Sequence, residues 1–256
     1  MARETKRNPA AVWRIGLIVS GLIAAGVCSA MAGLKVRDYT LTDPQFILSR
    51  GQQGSLTVEG LQHTSRLKVQ RVFAADFDHS VFAIPLAERR RRLLAIDWVQ
   101  DASVSRIWPD RLVVRLHERK PVAFVSTRSG VMLIDAWGVL LDQPYQAKFT
   151  FPVLSGVHED ESELKRRERV RSFQELHQDL GYLAKDLSEV NVADLNNIRI
   201  VAKVENRAVE LTLGDGNFAR RYQNFLNHFP EIRKRSPEIA AFDLRLDDRI
   251  TAKARD

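Results

Sequence analysis

Twenty consecutive residues, positions 15 to 34 (IGLIVSGLIAAGVCSAMAGL), carry no charge. A helix rises about 1.5 Å per residue, so such a run is about 30 Å long, the thickness of the hydrocarbon core of a bilayer. That feature fits one membrane helix with the rest of the chain divided between its two sides. Before it stand Arg3, Lys6, Arg7 and Arg14 against Glu4, a net +3, and the positive-inside rule puts this short tail in the cytoplasm. The expectation is a cytoplasmic tail at 1–14, a transmembrane helix at 15–34 and an extracytoplasmic remainder. Ala30-Met31-Ala32 has the small-x-small form of a signal-peptide cleavage site. The run is longer than the apolar core of a signal peptide, however, which favours retention. Ala25-Gly26-Val27 lacks the large apolar residue expected before a lipoprotein cysteine, so Cys28 reads as a small membrane residue. Gly21, Ala25, Ser29 and Gly33 recur every four residues and give the helix one face on which another membrane helix can approach closely.

The overall charge of +7 points to an anionic partner only until it is located. Residues 35–256 hold 35 basic and 31 acidic residues, a nearly balanced exterior, so no basic nucleic-acid surface is expected. No cysteine follows Cys28, and an oxidising compartment is met without disulfides.

Residues 35–50 are polar with scattered apolar positions and Pro44, which reads as a juxtamembrane stalk, with structure beginning near Ser55. Leu56 and Val58 alternate as a strand before Gly60. Ser65 caps a helix bearing Leu67, Val69, Val72 and Phe73, and Pro85 opens a second helix with Leu86, Leu93 and Leu94 inward and Arg89 to Arg92 toward water. Val99 to Ile107 and Leu112 to Leu116 alternate around a Trp108-Pro109-Asp110 turn, a hairpin. Strand, helix, helix, strand, strand in about 65 residues makes a small α+β layer.

The remainder, 120–256, reads as a sheet with packed helices. Val122 to Ser126, Val131 to Ile134 and Val139 to Leu141 are short strands separated by turns at Gly130 and Gly138. A helix is expected over Glu161 to Leu187 from the spacing of Val170, Phe173, Leu176, Leu180, Leu183 and Leu187, with Lys165, Arg166, Arg167, Arg169 and Arg171 paired to interleaved acids. Ile198 to Val204 and Val209 to Leu213 form two strands, a helix follows to about Phe229, and Ile239 to Leu246 and Ile250 to Ala252 close the chain as strands.

Catalytic patterns are missing. His117-Glu118 runs into Arg-Lys-Pro rather than a second histidine, the six histidines have no ligand spacing, and neither a Gly-x-Ser-x-Gly elbow nor a phosphate-cradling glycine loop occurs. Asp247 and Asp248 are adjacent and on a strand would point to opposite faces. No enzyme, cofactor or metal is expected. Trp98, Trp108 and Trp137 sit singly at turns and strand ends and read as core anchors.

Four stretches carry a resemblance. Trp98-Val99-Gln100-Asp101-Ala102-Ser103-Val104-Ser105-Arg106-Ile107-Trp108-Pro109-Asp110-Arg111-Leu112, continued by His117-Glu118-Arg119-Lys120-Pro121-Val122-Ala123, resembles the polypeptide-transport-associated (POTRA) domain of the bacterial division proteins FtsQ and DivIB. Leu133-Ile134-Asp135-Ala136-Trp137-Gly138, Phe151-Pro152-Val153-Leu154-Ser155-Gly156 and Phe242-Asp243-Leu244-Arg245 resemble later motifs of the same family, in the same order. The resemblance implies a POTRA domain at 51–119 and a β domain at 120–256. It implies a bitopic inner-membrane scaffold at the division septum, with its bulk in the periplasm, that binds FtsB-like and FtsL-like membrane proteins and helps coordinate septal cell-wall synthesis. It also implies that the segment after the Asp-Leu-Arg motif, here Arg245, Leu246, Asp247, Asp248 and Arg249, takes an FtsB-like partner by strand addition, and that Val104, Ser105 and Arg106 belong to a recruitment surface of the POTRA domain. This chain departs from the motif in having Leu246 where the family form has an aromatic residue. The competing reading, a POTRA-bearing transport or outer-membrane assembly factor, lacks the many alternating segments that a membrane barrel requires.

Overall fold

The computed structural model describes residues 9–50, 54–144, 147–247 and 249–253, with side chains from residue 20 onward. The chain divides into two compact units, Met1–Leu61 with Ser65–Leu93 and Asp101–Leu116, and Gln62–Thr64 with Leu94–Gln100 and His117–Asp256. The architecture is mixed α+β.

The first unit begins with a long helix, α1 (Pro9–Thr42). Its described uncharged stretch, Ser20 to Leu34, exposes Leu22, Ile23, Val27, Met31 and Leu34 at more than half of their surface. Among the described residues no helix is long and apolar enough to cross a membrane. The first five residues of the expected span, 15–19, lie outside those whose side chains are described. The stretch expected as a stalk is folded instead. α1 continues to Thr42, Asp43 caps a single 3-10 turn at Pro44–Phe46, and Ile47 bridges Ser80. Phe46 and Leu48 are fully buried, two apolar side chains too isolated in a polar stretch to give a period.

Strand β1 (Leu56–Glu59) is followed by helices α2 (Arg66–Val72) and α3 (Leu86–Leu94) and by the hairpin β2 (Val99–Ile107) and β3 (Arg111–Glu118). β3 is central, parallel to β1 and flanked on its other side by β2. Leu112, Val114 and Leu116 alternate inward along β3, and the helices contribute Val69 and Leu93 to the buried set. The arginine run of α3 does not face water throughout. Arg89 is buried and makes a two-pronged ion pair with Asp76 at 2.6 and 2.7 Å, and Arg90 reaches Asp101 and the Ala102 carbonyl. A buried guanidinium needs such a fork, and nothing in a charge run reveals which member will have one.

The second unit is a nine-stranded sheet. Its strands are β4 (Pro121–Thr127), β5 (Gly130–Asp135), β6 (Leu140–Leu141), β7 (Val153–Ser155), β8 (Leu187–Asn191), β9 (Ile198–Val204), β10 (Arg207–Gly214), β11 (Ala241–Asp243) and β12 (Thr251–Ala252). Their order is β12-β11-β10-β9-β8-β7-β4-β5-β6, so β12 and β6 are the edges. Helices α4 (Glu163–Leu180) and α5 (Phe218–Arg235) pack on one face through Val170, Phe173, Leu176, Leu180, Phe218, Tyr222, Phe225 and Phe229.

The expected helix to Leu187 is shorter. α4 ends at Gly181, whose φ is +54°, a 3-10 segment follows, and Leu187 starts β8. Leu183 and Leu187 keep the helical spacing by coincidence, since both pack on the same core from a different backbone. α5 in turn runs past Pro230 to Arg235, held by Phe225, Phe229 and the partly buried Ile232 on the core side. The strand expected over 239–246 contracts to Ala241–Asp243. Of the three tryptophans expected as core anchors only Trp98 is buried. Trp108 is 67% exposed, and Trp137 lies partly exposed under the Arg167 guanidinium at 4.2 Å.

Candidate functional site

The two ends of this sheet are built differently. At the β6 end, period-two alternation sends Ile134 to the helix-covered face and Leu133 to the other, where Leu133, Leu141 and Trp98 form a second buried cluster with Phe124, Val139, Phe149 and Phe151 against it. This end is buried on both faces. The β5–β6 turn is held by the buried Asp135, whose Oδ1 accepts the N–H groups of Trp137 and Val139 while Oδ2 accepts Arg119 Nη1 at 2.8 Å. Gly138 closes that turn at φ +83°, and a side chain there would meet the backbone of Arg167. Gly156, at φ +82°, likewise lies against the backbone of Ala193. These contacts give a physical reason for the aspartate and the two glycines that stand in the second and third resemblance motifs.

Nearby, Glu118 accepts backbone N–H groups from Gln62, His63 and Thr64 at 2.8 to 3.0 Å. Burial pushes this carboxyl up, but the three N–H donors outweigh it and leave its pKa below the ordinary carboxylate value.

At the β12 end the sheet narrows to two residues and opens. β11 lies parallel to β10 and antiparallel to β12, in the register Phe242 to Ala252 and Asp243 to Thr251. The connection between them holds the sequence-predicted partner site. Leu244 is buried, and Leu246, two residues on, is 57% exposed. The chain has left the strand conformation at Leu244, so period two no longer puts both leucines on one face. The side chain of Arg245 folds back on Asp243, with Nε to Oδ1 at 2.9 Å and Nη2 to Oδ2 at 2.6 Å. This bonding holds the Asp243 carboxyl below its ordinary pKa. Asp247 takes Arg221 Nε of α5 at 2.9 Å, and the hydrogen bond from Arg221 lowers its pKa too. Arg249 N–H turns back to the Leu246 carbonyl. Asp248 lies outside the described residues. Leu246, Asp247 and Arg249 thus share one turn. With Arg220, Asn224 and Leu244 they line an open groove of about 340 Å³ between the turn and α5. Nothing in the residue pattern marks α5's share in this groove, because Arg221 and Asn224 lie on the polar side of an amphipathic helix and look like any solvated residue.

The other expected sites are dispersed. On β2, Val104 and Ser105 are half-buried, and Arg106 is spent inside its own unit, donating to the carbonyls of Val81 and Ile84 at 2.6 and 2.7 Å. Gly21, Ala25, Ser29 and Gly33 are exposed on α1. Among the described residues no group of three or more His, Cys, Asp or Glu side chains is arranged to hold a metal.

Comparison with known proteins assigns both parts of the chain. Residues 52–119 match the POTRA domain of FtsQ type, and residues 123–245 match the C-terminal domain of cell division protein FtsQ/DivIB. Cell division protein FtsQ of Koribacter versatilis (strain Ellin345) is 36% identical over 235 residues, 90% of this chain and 68% of that protein. FtsQ of Coxiella burnetii is 25% identical over 231 residues, 90% of this chain and 87% of that protein. Among solved structures, the major extracytoplasmic domain of DivIB from Geobacillus stearothermophilus aligns with 46% of this chain and 92% of its own. Its TM-score is 0.27 and its identity 20%, a likeness that carries no argument.

Proposed function

The chain belongs to the FtsQ/DivIB family of bacterial cell division proteins, and from that premise we propose that it is a non-enzymatic, single-pass scaffold of the division complex that binds FtsB-like and FtsL-like membrane proteins. In this reading residues 1–14 are cytoplasmic, 15–34 span the inner membrane, 51–119 form the POTRA domain and 120–256 the periplasmic β domain, with 35–50 joining anchor to POTRA. The exposed apolar surface of α1 supports the anchor, since a helix that shows apolar side chains without a protein partner is suited to lipid.

The FtsB-like partner adds a strand along the free edge of β12. Leu246 packs against it, and the groove beside α5 receives its flanking residues. One observation carries this assignment: Leu246 is exposed beside the edge while Leu244, in the same motif, is buried. An unpaired edge supplies backbone hydrogen bonds, and a neighbouring apolar side chain sets register. Arg245 meets a partner carboxylate by exchanging it for Asp243, which makes its contribution smaller than that of a free arginine. In the POTRA domain Val104 and Ser105 form the recruitment surface, with the exposed Arg106 tying the strand to the Val81 and Ile84 carbonyls. A fluorescent fusion of the full chain should gather at the septum and co-purify with FtsB-like and FtsL-like proteins; a septal fusion that retains neither would overturn the scaffold reading.

A further inference from the structure

The first unit carries an aromatic patch that the function above does not use. Phe46, fully buried, is ringed by Tyr39 at 5.7 Å, Phe82 at 5.3 Å and Trp108 at 5.4 Å between ring centroids. The outer rings face solvent, Tyr39 at 54% exposure and Trp108 at 67%, with Phe82 also exposed. The patch is rigidly joined to the end of α1. Ser80 Oγ donates to the Thr40 carbonyl at 2.6 Å, Val81 N–H to Phe46 at 2.8 Å, and Leu48 N–H to His79 at 2.9 Å. Arg106 fixes the Phe82 loop from the other side through the Val81 and Ile84 carbonyls. Its height is set by the sequence. Tyr39 follows Leu34, the last residue of the uncharged run, by five residues, which at about 1.5 Å per residue is roughly 7.5 Å along the helix. A bilayer's headgroup layer occupies roughly 5 to 8 Å on each side of its hydrocarbon core. Lys35 and Arg37, between Leu34 and Tyr39, are charges of the kind that snorkel to this level.

We infer that Tyr39, Phe82 and Trp108 form an interfacial cap that rests in the headgroup layer of the membrane entered by α1. Trp and Tyr are suited to that layer because each presents an apolar ring and one polar atom. The cap fixes the first unit at the membrane surface instead of leaving it on a free tether. The inference rests on α1 being a membrane anchor, and the experiment separates the two.

The full chain and its Trp108→Phe variant are reconstituted at low protein density in phosphatidylethanolamine–phosphatidylglycerol vesicles and floated. The emission of Trp108 is taken as the difference between the two proteins. With brominated lipid included, that difference emission should lose most of its intensity, and aqueous iodide should barely reduce it. A chain that floats while its Trp108 emission is quenched by iodide and not by brominated lipid overturns the cap and leaves the anchor standing. Protection that vanishes as the protein is diluted into more lipid assigns the patch to a second copy and also overturns it. A chain that does not float overturns the anchor, and the cap with it.

Discussion

Two ends of one sheet meet the same problem, an unpaired strand edge, and answer it in opposite ways. At β6 the edge is only two residues long, yet the strands behind it are buried on both faces, the turn is tied to Asp135, and Trp98 Nε1 donates to the Asp142 carbonyl at 2.9 Å. At β12 the edge is equally short, but what surrounds it is a turn with an exposed leucine, a groove and ion pairs that each keep one side chain open to solvent. Buried groups bonded to backbone define one structure firmly; pairs with one side chain open to solvent hold a conformation loosely enough for a partner to replace them. The difference separates the end that maintains the fold from the end that is available for recognition.

The comparison breaks first at Asp135. Asp135→Ala strands Arg119 and two backbone N–H groups in a mostly buried site and should cost ~3–5 kcal/mol, seen as a large fall in melting temperature of the full chain in detergent. A fall no larger than that of a surface substitution would show that the β6 end is not held as described. Next comes Glu118→Gln, which keeps the shape and removes the charge that three N–H donors face; a loss of about 1–3 kcal/mol is expected. Its pH dependence has a definite sign. The folded pKa is depressed, so the contribution is fully present above the ordinary value of about 4.3 and is lost as pH falls through the lower folded value. Wild type should therefore lose stability more steeply than Glu118→Gln on acidification below about pH 4.3, and parallel curves would contradict the assignment. Smallest is Asp247→Asn at the open end, which should leave the melting temperature unchanged within error because its partner Arg221 also bonds the Leu213 carbonyl.

Much of this contrast is legible in the residue order alone. The alternation in Leu112, Val114 and Leu116 and in Ile198, Ile200 and Ala202 names strands, and Gly138 names a turn, because local periodicity and φ requirements are written in neighbouring residues. What is not legible there depends on distant partners. Arg89 looks like Arg91 until Asp76 arrives from 13 residues away, and Leu187 continues a helical rhythm although its backbone has become a strand. The open end is legible only by motif. Leu244 and Leu246 alternate in sequence, and it is the departure of the chain from β11 after Asp243 that buries one and exposes the other.

The most direct measurement is the affinity of Leu246→Glu for an FtsB-like partner, set beside its melting temperature. A hot spot that the partner buries on binding is worth at least ~2 kcal/mol, so binding should weaken more than about 30-fold while melting and circular dichroism match wild type. Wild-type affinity, or loss of binding accompanied by unfolding, would contradict the account.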